Sequence, residues 1–509
     1  MPPLTSRAAV AALALLLGFA ACQPVPSTAP SFSGPVPSPS IGTDSAPPVT
    51  PGTGAGLGEA LRDAIAVDDI VADLGRLDAI ATSNGGNRAA GSPGYDQSAQ
   101  FVAEELRAAG YEVSLAPTQL TAFRQDAPSL LEIQGAAALQ LTDIRDFKAM
   151  LLSPSGDVTA DVFALGFDPA AQPGDRDGIG CDPGDWSVVP AGVIALVQPG
   201  ECRRRDVVLN AQAAGVVGLI TSYVDWGPDH VLRPTLIDGA GLSIPVVGTT
   251  GGTGLAILAA SQAGQQVHLE VHTTVAQVES PNIIGELPGG DPAHVVMLGG
   301  HLDSVVDGPG INDNGTGTMA ILEIARELAK LRPEGPPWKV RIAFWTGEEI
   351  GLLGSFAYVG GLPPEDVASI EAYLNLDMVG SPNAVREIYD TSGTLRPIAG
   401  GVLQELLREA LANAGLAAKV VDIGGASDHL PFDREGIVVG GLFSGASALK
   451  TDEEAGLFGG TAGTPSDPCY HLACDTAANV DRGVLEQLAK AAAWTLGRLA
   501  SGEVVLPEG

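Results

Sequence analysis

The chain has 509 residues, of which 45% are hydrophobic and 66 are glycine, a composition that excludes a largely disordered protein. This length exceeds what one hydrophobic core usually serves, so we expect two folded units with tails. The formal net charge of −33 at pH 7 excludes nucleic acid as a partner, because phosphate binding needs a basic face.

The first residues are typical of an export signal. Arg7 precedes an apolar run over residues 8–21 that is too short to span a bilayer comfortably. Ala20 and Ala21 stand directly before Cys22, as small residues do before the lipidated cysteine of bacterial lipoproteins. We therefore predict a signal peptide over 1–21 and lipidation of Cys22, with an ordinary secretory signal as the alternative. Either way the protein is extracytoplasmic, and a lipid anchor would be its sole membrane contact.

Residues 22–58 are rich in Pro, Ser, Thr and Gly and have almost no large apolar side chains. Such a segment buries too little surface to fold, so we predict a disordered tether. Folded sequence is expected from about Glu59. The first predicted helix spans 98–109, where Phe101, Val102 and Leu106 share one face and Gly110 provides a stop.

Residues 125–274 differ in character from what precedes and follows them. Short apolar strands are predicted at 193–197, 216–221 and 245–248, separated by turns rich in Gly, Asp and Pro. We predict a small β-rich domain inserted between two segments, 59–124 and 275–499, of a larger domain. Residues 500–509 form a tail.

In the second segment of the larger domain, apolar strands alternate with amphipathic helices. The predicted strands lie at 283–285, 295–299, 340–345 and 373–376. The predicted helices lie at 316–331, 397–414 and 484–499. Continuous apolar strands alternating with helices indicate an α/β fold with a mixed, largely parallel central sheet that helices cover on both faces.

The four cysteines after Cys22 pair by proximity in the sequence. Cys181 lies near Cys202, and Cys469 lies near Cys474. Export makes disulfide bonds chemically reasonable at both places. Neither pair has the CxxC spacing of a zinc knuckle.

Imidazoles and carboxylates follow the predicted strands of the larger domain. They are His301, Asp303, Asp313, Glu348, Glu349 and Asp377, with His471 near the end of the chain. The carboxyl ends of strands in an open α/β sheet are where ligands bind. Such a set, without cysteine, suits zinc in a catalytic site.

Here the sequence resembles the M28 family of zinc peptidases, and in particular its secreted leucine aminopeptidases. The strings that carry the resemblance are SNGGNRAAGSPGY, GGHLDSVVDGPGINDNGTG, FWTGEEIGLLGS, YLNLDMVGSPN, SDHLPF, GGLFSGA and GGTAGTPSDPCYHLACD. The fold this implies is that of the zinc peptidases. The implied activity is removal of N-terminal residues from peptides or proteins, with two zinc ions per chain, and we expect a monomer.

The resemblance also implies a role for each residue. One zinc would be held by His301 and Asp377, the other by Glu349 and His471, with Asp313 bridging both. Glu348 would be the general base and acid, and Tyr470 would hydrogen-bond the developing oxyanion. Asp303 would orient the imidazole of His301, and the Asp313–Asn314 peptide bond would be cis. Met378 and Phe443 would form an apolar pocket for a bulky first residue such as Leu.

Two departures from the close relatives limit what the resemblance implies. Ala426 stands where those relatives have an Arg before the SDH motif, so that function must be supplied otherwise. Lys490 occupies one position of their calcium site, so calcium is not expected.

The insertion resembles a protease-associated (PA) domain over CDPGDWSVVPAGVIALVQPGECRRRDVVLNAQAAGVVGLI. Cys181 and Cys202 stand where that domain often has a disulfide. In this family such domains cap the active-site face. A lid that restricts large substrates and a lid that only stabilises remain equal alternatives.

Three other functions compete with an aminopeptidase. A glutaminyl cyclase uses one zinc and would not need the whole ligand set. A carboxypeptidase needs a basic cluster for the substrate carboxylate, and none stands near the motifs. A catalytically dead receptor should have lost ligands or the base, whereas all are present here.

Overall fold

The computed structural model describes residues 56–135, 138–143, 145–168, 179–198, 200, 202–223 and 233–507. The predicted signal peptide, Cys22 and nearly all of the predicted tether lie outside these ranges. No described helix has the length and apolar content that crossing a membrane requires.

The strands, in chain order, are β1 Glu112–Gln125, β2 Leu130–Ile133, β3 Leu139–Leu141, β4 Phe147–Ala149, β5 Gly156–Leu165, β6 Ile194–Val197, β7 Gly218–Tyr223, β8 Val246–Thr250, β9 Gln266–Val271, β10 Thr273–Glu286, β11 Asp291–His301, β12 Trp338–Trp345, β13 Ile370–Leu376, β14 Glu387–Tyr389, β15 Lys419–Val421 and β16 Val439–Phe443.

The helices are α1 Leu57–Ala64, α2 Val67–Ser83, α3 Pro93–Ala108, α4 Arg204–Ala213, α5 Gly251–Gln262, α6 Gly317–Leu331, α7 Leu353–Gly360, α8 Pro364–Ser369, α9 Pro397–Asn413, α10 His429–Arg434, α11 Asp452–Phe458 and α12 Arg482–Ala500.

The first sheet has eight strands in the order β1-β10-β12-β11-β13-β16-β14-β15. Its centre is parallel, since β11 pairs in parallel with both β12 and β13, and β13 pairs in parallel with β16. Strands β1 and β10 pair antiparallel at one end. The predicted mixed, largely parallel sheet is confirmed.

The central strands are continuous apolar runs because both of their faces are covered. Residues Val295–His301 of β11 are all buried. On one face α6 packs through Met319, Leu322 and Leu328, all fully buried in the same core as α1, α2, α3, α9 and α12. The other face packs on α7 and α10 around Trp345 and Phe432.

The second sheet also has eight strands, in the order β3-β2-β9-β5-β6-β7-β8-β4. It is built from residues 130–271 and carries α4 and α5 against its two hydrophobic cores. The antiparallel pair β1 and β10, which runs from Glu112 paired with Glu286 to Gln125 paired with Thr273, leads from the first sheet into it. The domain boundaries given above stay a prediction.

Candidate metal centre and active site

The predicted site residues leave neighbouring strands at one edge of the first sheet. His301 is the last residue of β11, Glu348 and Glu349 follow the end of β12, and Asp377 follows the end of β13. Since β12, β11 and β13 are adjacent and parallel, their carboxyl ends meet. Asp313 reaches the same place from the irregular turn Ile311–Thr316, in which the Asp313–Asn314 peptide bond is cis.

Asp313 lies between two histidines, with one carboxylate oxygen toward each. Its Oδ1 is 3.3 Å from Nε2 of His301, and its Oδ2 is 3.1 Å from Nε2 of His471. Each histidine faces a second carboxylate. Nε2 of His301 is 3.4 Å from Oδ1 of Asp377, and Nε2 of His471 is 3.1 Å from Oε2 of Glu349. Each imidazole thus faces two carboxylates, and Asp313 is the carboxylate that both imidazoles have in common.

The donor set fits divalent metal ions. Ligand atoms of His301, Asp313 and Asp377 lie within 4.8 Å of one another, and so do those of Asp313, Glu349 and His471. Oε1 of Glu349 and Oδ1 of Asp377 are buried and have no hydrogen-bond partner among the described residues. Buried carboxylates without partners are costly unless a cation neutralises them. Imidazole and carboxylate donors without cysteine suit zinc in a catalytic site.

Burial and mutual charge set the protonation of the histidines. Burial lowers the pKa of His301, but the carboxylate of Asp377 and then that of Glu348 raise it more, so the net pKa lies well above the usual value. His471 behaves alike, with Glu349 as the first carboxylate that outweighs burial. The cluster therefore attracts positive charge, as protons or as bound cations.

Glu348 stands at the centre without belonging to either set. One of its oxygens lies within 4.8 Å of ligand atoms of His301 and Glu349. Burial raises the pKa of Glu348 well above its usual value, with His301 opposing that rise. A carboxylate with a raised pKa beside the reacting atoms is able to take and return a proton near neutral pH.

Asp303 differs in detail from the predicted role. Nδ1 of His301 lies 3.1 Å from the backbone oxygen of Asp303 but 3.7 Å from its carboxylate, so the carbonyl is the hydrogen-bond partner of the imidazole. The carboxylate instead accepts the backbone N–H of Glu348 at 3.2 Å. The side chain of Asp303 therefore orients the chain that carries Glu348.

Tyr470 and His471 share a turn that a disulfide closes. Cys469 is bonded to Cys474, and Cys181 is bonded to Cys202, as predicted for both pairs. The ring of Tyr470 stacks on that of His471 with centroids 3.8 Å apart. Burial raises the pKa of the Tyr470 hydroxyl above its usual value, so the hydroxyl keeps its proton and can donate a hydrogen bond.

A cavity of about 510 Å³ opens onto the cluster, and both Met378 and Phe443 line it beside Tyr470. Met378 is 3% exposed and has a left-handed backbone with φ of 50°, as has His471 with φ of 59°. Such conformations in residues with side chains concentrate at functional sites. Ala426, one of the departures noted above, lines the same cavity.

Two residues that hold the site, Asp475 and Arg88, were not predicted, and a third, Ser427, belongs to the SDH motif that the family resemblance places at the site. The carboxylate of Asp475 accepts the backbone N–H groups of Asn312 at 2.8 Å and Asp313 at 3.0 Å. Arg88 is fully buried and donates to the carbonyls of Leu302, Pro309 and Gly310. Ser427 donates to Oδ2 of Asp377 at 2.7 Å. The first two bond backbone groups, whose positions no sequence pattern gives.

A second cavity of about 220 Å³ is also lined by Glu349 and His471. Its wall includes Phe123 of β1, together with Leu151 and Thr235, which are joined to each other by a backbone bridge beside the second sheet. Glu349 and His471 of the candidate metal cluster therefore border both cavities.

Family models match both parts of the chain. Residues 282–496 match the model of peptidase family M28, and residues 159–257 match that of the PA domain. An aminopeptidase of Pseudomonas aeruginosa is 38% identical over 490 residues, which cover 94% of this chain and 89% of that protein.

Two further relatives span most of the chain. A probable lipoprotein aminopeptidase, LpqL, of Mycobacterium tuberculosis is 33% identical and covers 90% of this chain and 90% of its own length. A probable leucine aminopeptidase 2 of Aspergillus fumigatus is 31% identical and covers 83% of this chain and 81% of its own length.

Solved structures share the fold. An aminopeptidase from Aneurinibacillus sp. strain AM-1 has a TM-score of 0.66 at 23% identity, and covers 89% of this chain and 98% of that chain. A zinc aminopeptidase from Bacillus subtilis has a TM-score of 0.63 at 24% identity, and covers 87% of this chain and 96% of that chain.

Proposed function

The chain belongs to peptidase family M28 and is a metal-dependent aminopeptidase that acts on peptides, and from this premise we propose a finer function. It is an exported di-zinc enzyme that removes bulky apolar residues, Leu above all, from free N-termini.

The observation that carries this proposal is the position of Asp313 between the two histidines. His301 and Asp377 would hold one zinc ion, and Glu349 and His471 would hold the other. Asp313 would be a ligand of both ions. Its two oxygens lie 3.3 Å and 3.1 Å from the respective imidazole nitrogens. Zinc bound there supplies Lewis-acid polarisation of the scissile carbonyl and lowers the pKa of water.

Glu348 supplies the proton transfer in this proposal. Its carboxylate accepts a proton from the attacking water and gives it to the nitrogen of the departing peptide. The neighbouring Glu349 faces His471 and is used as a ligand, so the two consecutive glutamates have separate tasks. The backbone contact between Glu348 and Asp303 fixes where the base stands.

Tyr470 and the carboxylates act on the substrate itself. The protonated hydroxyl of Tyr470 donates a hydrogen bond to the oxygen that gains negative charge when the carbonyl is attacked. The α-ammonium group of a free N-terminus is attracted by the carboxylates of the centre, whereas an acylated N-terminus has no such charge. This difference in charge explains why the enzyme would cleave only substrates with a free N-terminus, as an exopeptidase does.

The preference for a bulky first residue rests on the cavity. Met378 and Phe443 line it next to the reacting groups, and a large apolar side chain would bury surface against both. The fungal relatives whose names specify leucine support the same preference.

Export and lipidation at Cys22 rest on the first residues of the sequence and on the disulfides. The two bonded cysteine pairs suit an oxidising compartment, and one relative is named a lipoprotein aminopeptidase. In the native host, we expect Cys22→Ser to move the protein from the membrane fraction to the medium. Retention of that variant in the membrane would contradict the lipid anchor.

The PA domain over 125–274 would act as a lid on the leaving-peptide side. The wall that it adds to the second cavity, through Leu151 and Thr235, supports this role. A lid that limits substrates would slow long peptides more than short ones, whereas a stabilising lid would treat both alike. Rates on a series of leucine-initiated peptides of increasing length distinguish the two.

The enzyme activity is tested with leucine p-nitroanilide and its N-acetyl derivative, before and after removal of metal with a chelator. We expect cleavage of the free-amine substrate alone, loss of activity on chelation, and recovery with zinc. Failure of folded, zinc-loaded protein to cleave any of a panel of aminoacyl p-nitroanilides would contradict the proposal.

Replacing Glu348 tests the general base. We expect Glu348→Gln to lower kcat by about 10²–10⁴-fold, with zinc content unchanged because the ligands remain. Glu365→Gln is the matched control, since Glu365 is exposed on α8. A variant at Glu348 with wild-type kcat would exclude it as the base.

A further inference from the structure

The cavity beside the metal centre has a carboxylate in its wall that an apolar first residue does not use. Glu387 lines this cavity together with Met378 and Phe443, yet it is only 7% exposed. It pairs across β14 and β16 with Phe443 and across β14 and β15 with Lys419. Because paired residues point to the same face of a sheet, the three side chains share the cavity wall.

The carboxylate of Glu387 has little compensation from the protein. Within the described residues it accepts no hydrogen bond, and its one charged contact is Nζ of Lys419 at 3.9 Å. That ammonium group is committed elsewhere, because it donates to Oε1 of Glu454 at 2.7 Å. Glu454 in turn uses its other oxygen to cap α11 through Thr451.

The other nearby cation is also occupied. Nζ of Lys450 donates to the carbonyls of Ala384 and Gly459 at 2.8 Å and 2.9 Å. The charged groups that face Glu387 are therefore Lys419 from β15 and Glu454 from α11. A buried carboxylate with so little support is costly, and a cationic ligand would remove that cost.

The side chains of lysine and arginine match the apolar and acidic groups that line this cavity. Lysine and arginine have a long apolar stem that can pack on Met378 and Phe443, and a charged end that needs a carboxylate beyond them. We propose that Glu387 is a specificity-determining residue, and that the enzyme removes N-terminal lysine and arginine as well as leucine. This inference rests on the proposed use of the cavity for the first residue of the substrate.

The pKa of Glu387 explains how one pocket accepts both kinds of residue. Burial raises this pKa to about 7, with Lys419 lowering it and Glu454 raising it. In its neutral form Glu387 tolerates leucine. With lysine present, the substrate ammonium, whose own pKa is about 10.4, favours the ionised carboxylate.

The test compares kcat/KM for lysine and norleucine p-nitroanilides, using the zinc-loaded full-length protein. Norleucine has an unbranched apolar side chain like the lysine stem but lacks its charge, so effects on the metal centre cancel in the ratio. We expect Glu387→Gln to lower the lysine-to-norleucine ratio about tenfold or more. The wild-type ratio should rise between pH 6 and pH 8.5 as Glu387 ionises.

A second variant and a control keep the result decisive. Lys419→Met removes the competing cation and should raise the ratio about two- to fivefold, and it decides the question if Glu387→Gln does not fold. Glu405→Gln, which changes an exposed acid on α9, should leave the ratio unchanged.

The experiment distinguishes failure of the role of Glu387 from failure of the proposed function. Cleavage of norleucine p-nitroanilide with the same ratio in wild type and both pocket variants would overturn the role of Glu387 alone. Absence of cleavage of both substrates by the wild type would overturn the proposed function, and with it this inference.

Discussion

Among single residues, Asp313 is held so that it presents one carboxylate oxygen to each of two imidazoles. Its backbone is held by Asp475, whose carboxylate accepts the N–H groups of Asn312 and Asp313. Arg88 holds the other end of the same loop by donating to the carbonyls of Pro309 and Gly310. The position of this carboxylate thus depends on two buried charged residues, neither of which is among the candidate metal ligands.

Replacing Asp475 by Asn tests this dependence. An amide has a single oxygen acceptor and turns an NH₂ group toward the second backbone N–H, so one of the two hydrogen bonds is lost. We expect zinc affinity to fall by about 10–100-fold, measured by competition with a chromophoric chelator. Asp161→Asn, an exposed change in β5, is the control. Unchanged affinity in the Asp475 variant would contradict the positioning role.

At the scale of elements, the turn that carries Tyr470 and His471 has the least secondary structure of any part of the site. It follows no strand and is closed by the Cys469–Cys474 bond over a sequence separation of 5. The bond Cys181–Cys202 closes a longer segment, with a separation of 21, in the second sheet. We therefore expect the short-loop bond to matter more for catalysis and the long-loop bond to matter more for stability.

Removing each disulfide separates these two effects. By loop-closure entropy, Cys181→Ser/Cys202→Ser should cost about 3 kcal/mol of unfolding free energy and Cys469→Ser/Cys474→Ser about 2 kcal/mol. We expect the loss of activity to have the opposite order. Only the Cys469→Ser/Cys474→Ser variant should lose kcat/KM, by about tenfold or more, because small misplacements of catalytic groups are costly. Urea unfolding and leucine p-nitroanilide kinetics measure both. Equal activity in the two variants would contradict the account.

The strands and helices that the sequence predicts well are those buried on both faces. β11, β12, β13 and α6 follow their apolar patterns closely. The helix predicted at 98–109 in fact begins at Pro93, because Ser92 caps it by accepting the N–H of Tyr95. Helix α2 was missed although Ile70, Leu74 and Leu77 have helical spacing, so its signal was present.

Strand β10 is longer than predicted for a physical reason. Only 283–285 was predicted, whereas the strand begins at Thr273 and pairs with β1 along its whole length. Outside the sheet core this pair is held by backbone hydrogen bonds, and polar residues such as Gln277 and Glu279 leave no apolar pattern. The metal-ligand candidates were predictable from motifs, but Asp475 and Arg88 were not, since their partners are backbone groups.

At the scale of the whole molecule, a buried ionic cluster ties the second sheet to the loop between His301 and Asp313. The carboxylate of Asp307 in that loop accepts two hydrogen bonds from the guanidinium group of Arg233, at 2.8 Å and 2.9 Å. Lys148 of β4 lies 3.4 Å from the same carboxylate and is 1% exposed. Arg233 also donates to the carbonyl of Ala149, so one carboxylate links residues beside the second sheet to the loop between His301 and Asp313.

Asp307→Asn should therefore be strongly destabilising. Two buried cations would lose their counter-charge, which costs about 3–5 kcal/mol. Asp238→Asn is the control, because Asp238 is 57% exposed in its pair with Arg205 and such pairs contribute about 1 kcal/mol or less. Equal losses in the two variants, measured by urea unfolding, would contradict the account.

The contribution of the Asp307 carboxylate to stability depends on pH. Burial raises the pKa of Asp307, but Arg233 and then Lys148 lower it more, so the folded-state value lies below the usual one. A depressed carboxylate pKa contributes stability that is present above about pH 4 and is lost as the pH falls through the folded-state value. The stability difference between wild type and Asp307→Asn should therefore shrink below about pH 4. A difference that grows on acidification would contradict the assignment.

We propose that Asp313 joins two zinc sites, and anomalous diffraction at the zinc edge distinguishes a shared ligand from separate sites. Crystals of the zinc-loaded protein should give two anomalous peaks per chain, one between His301 and Asp377 and one between Glu349 and His471, with Asp313 in contact with both. A single peak, or two peaks of which one lies away from Asp313, would exclude Asp313 as a ligand shared by two zinc ions.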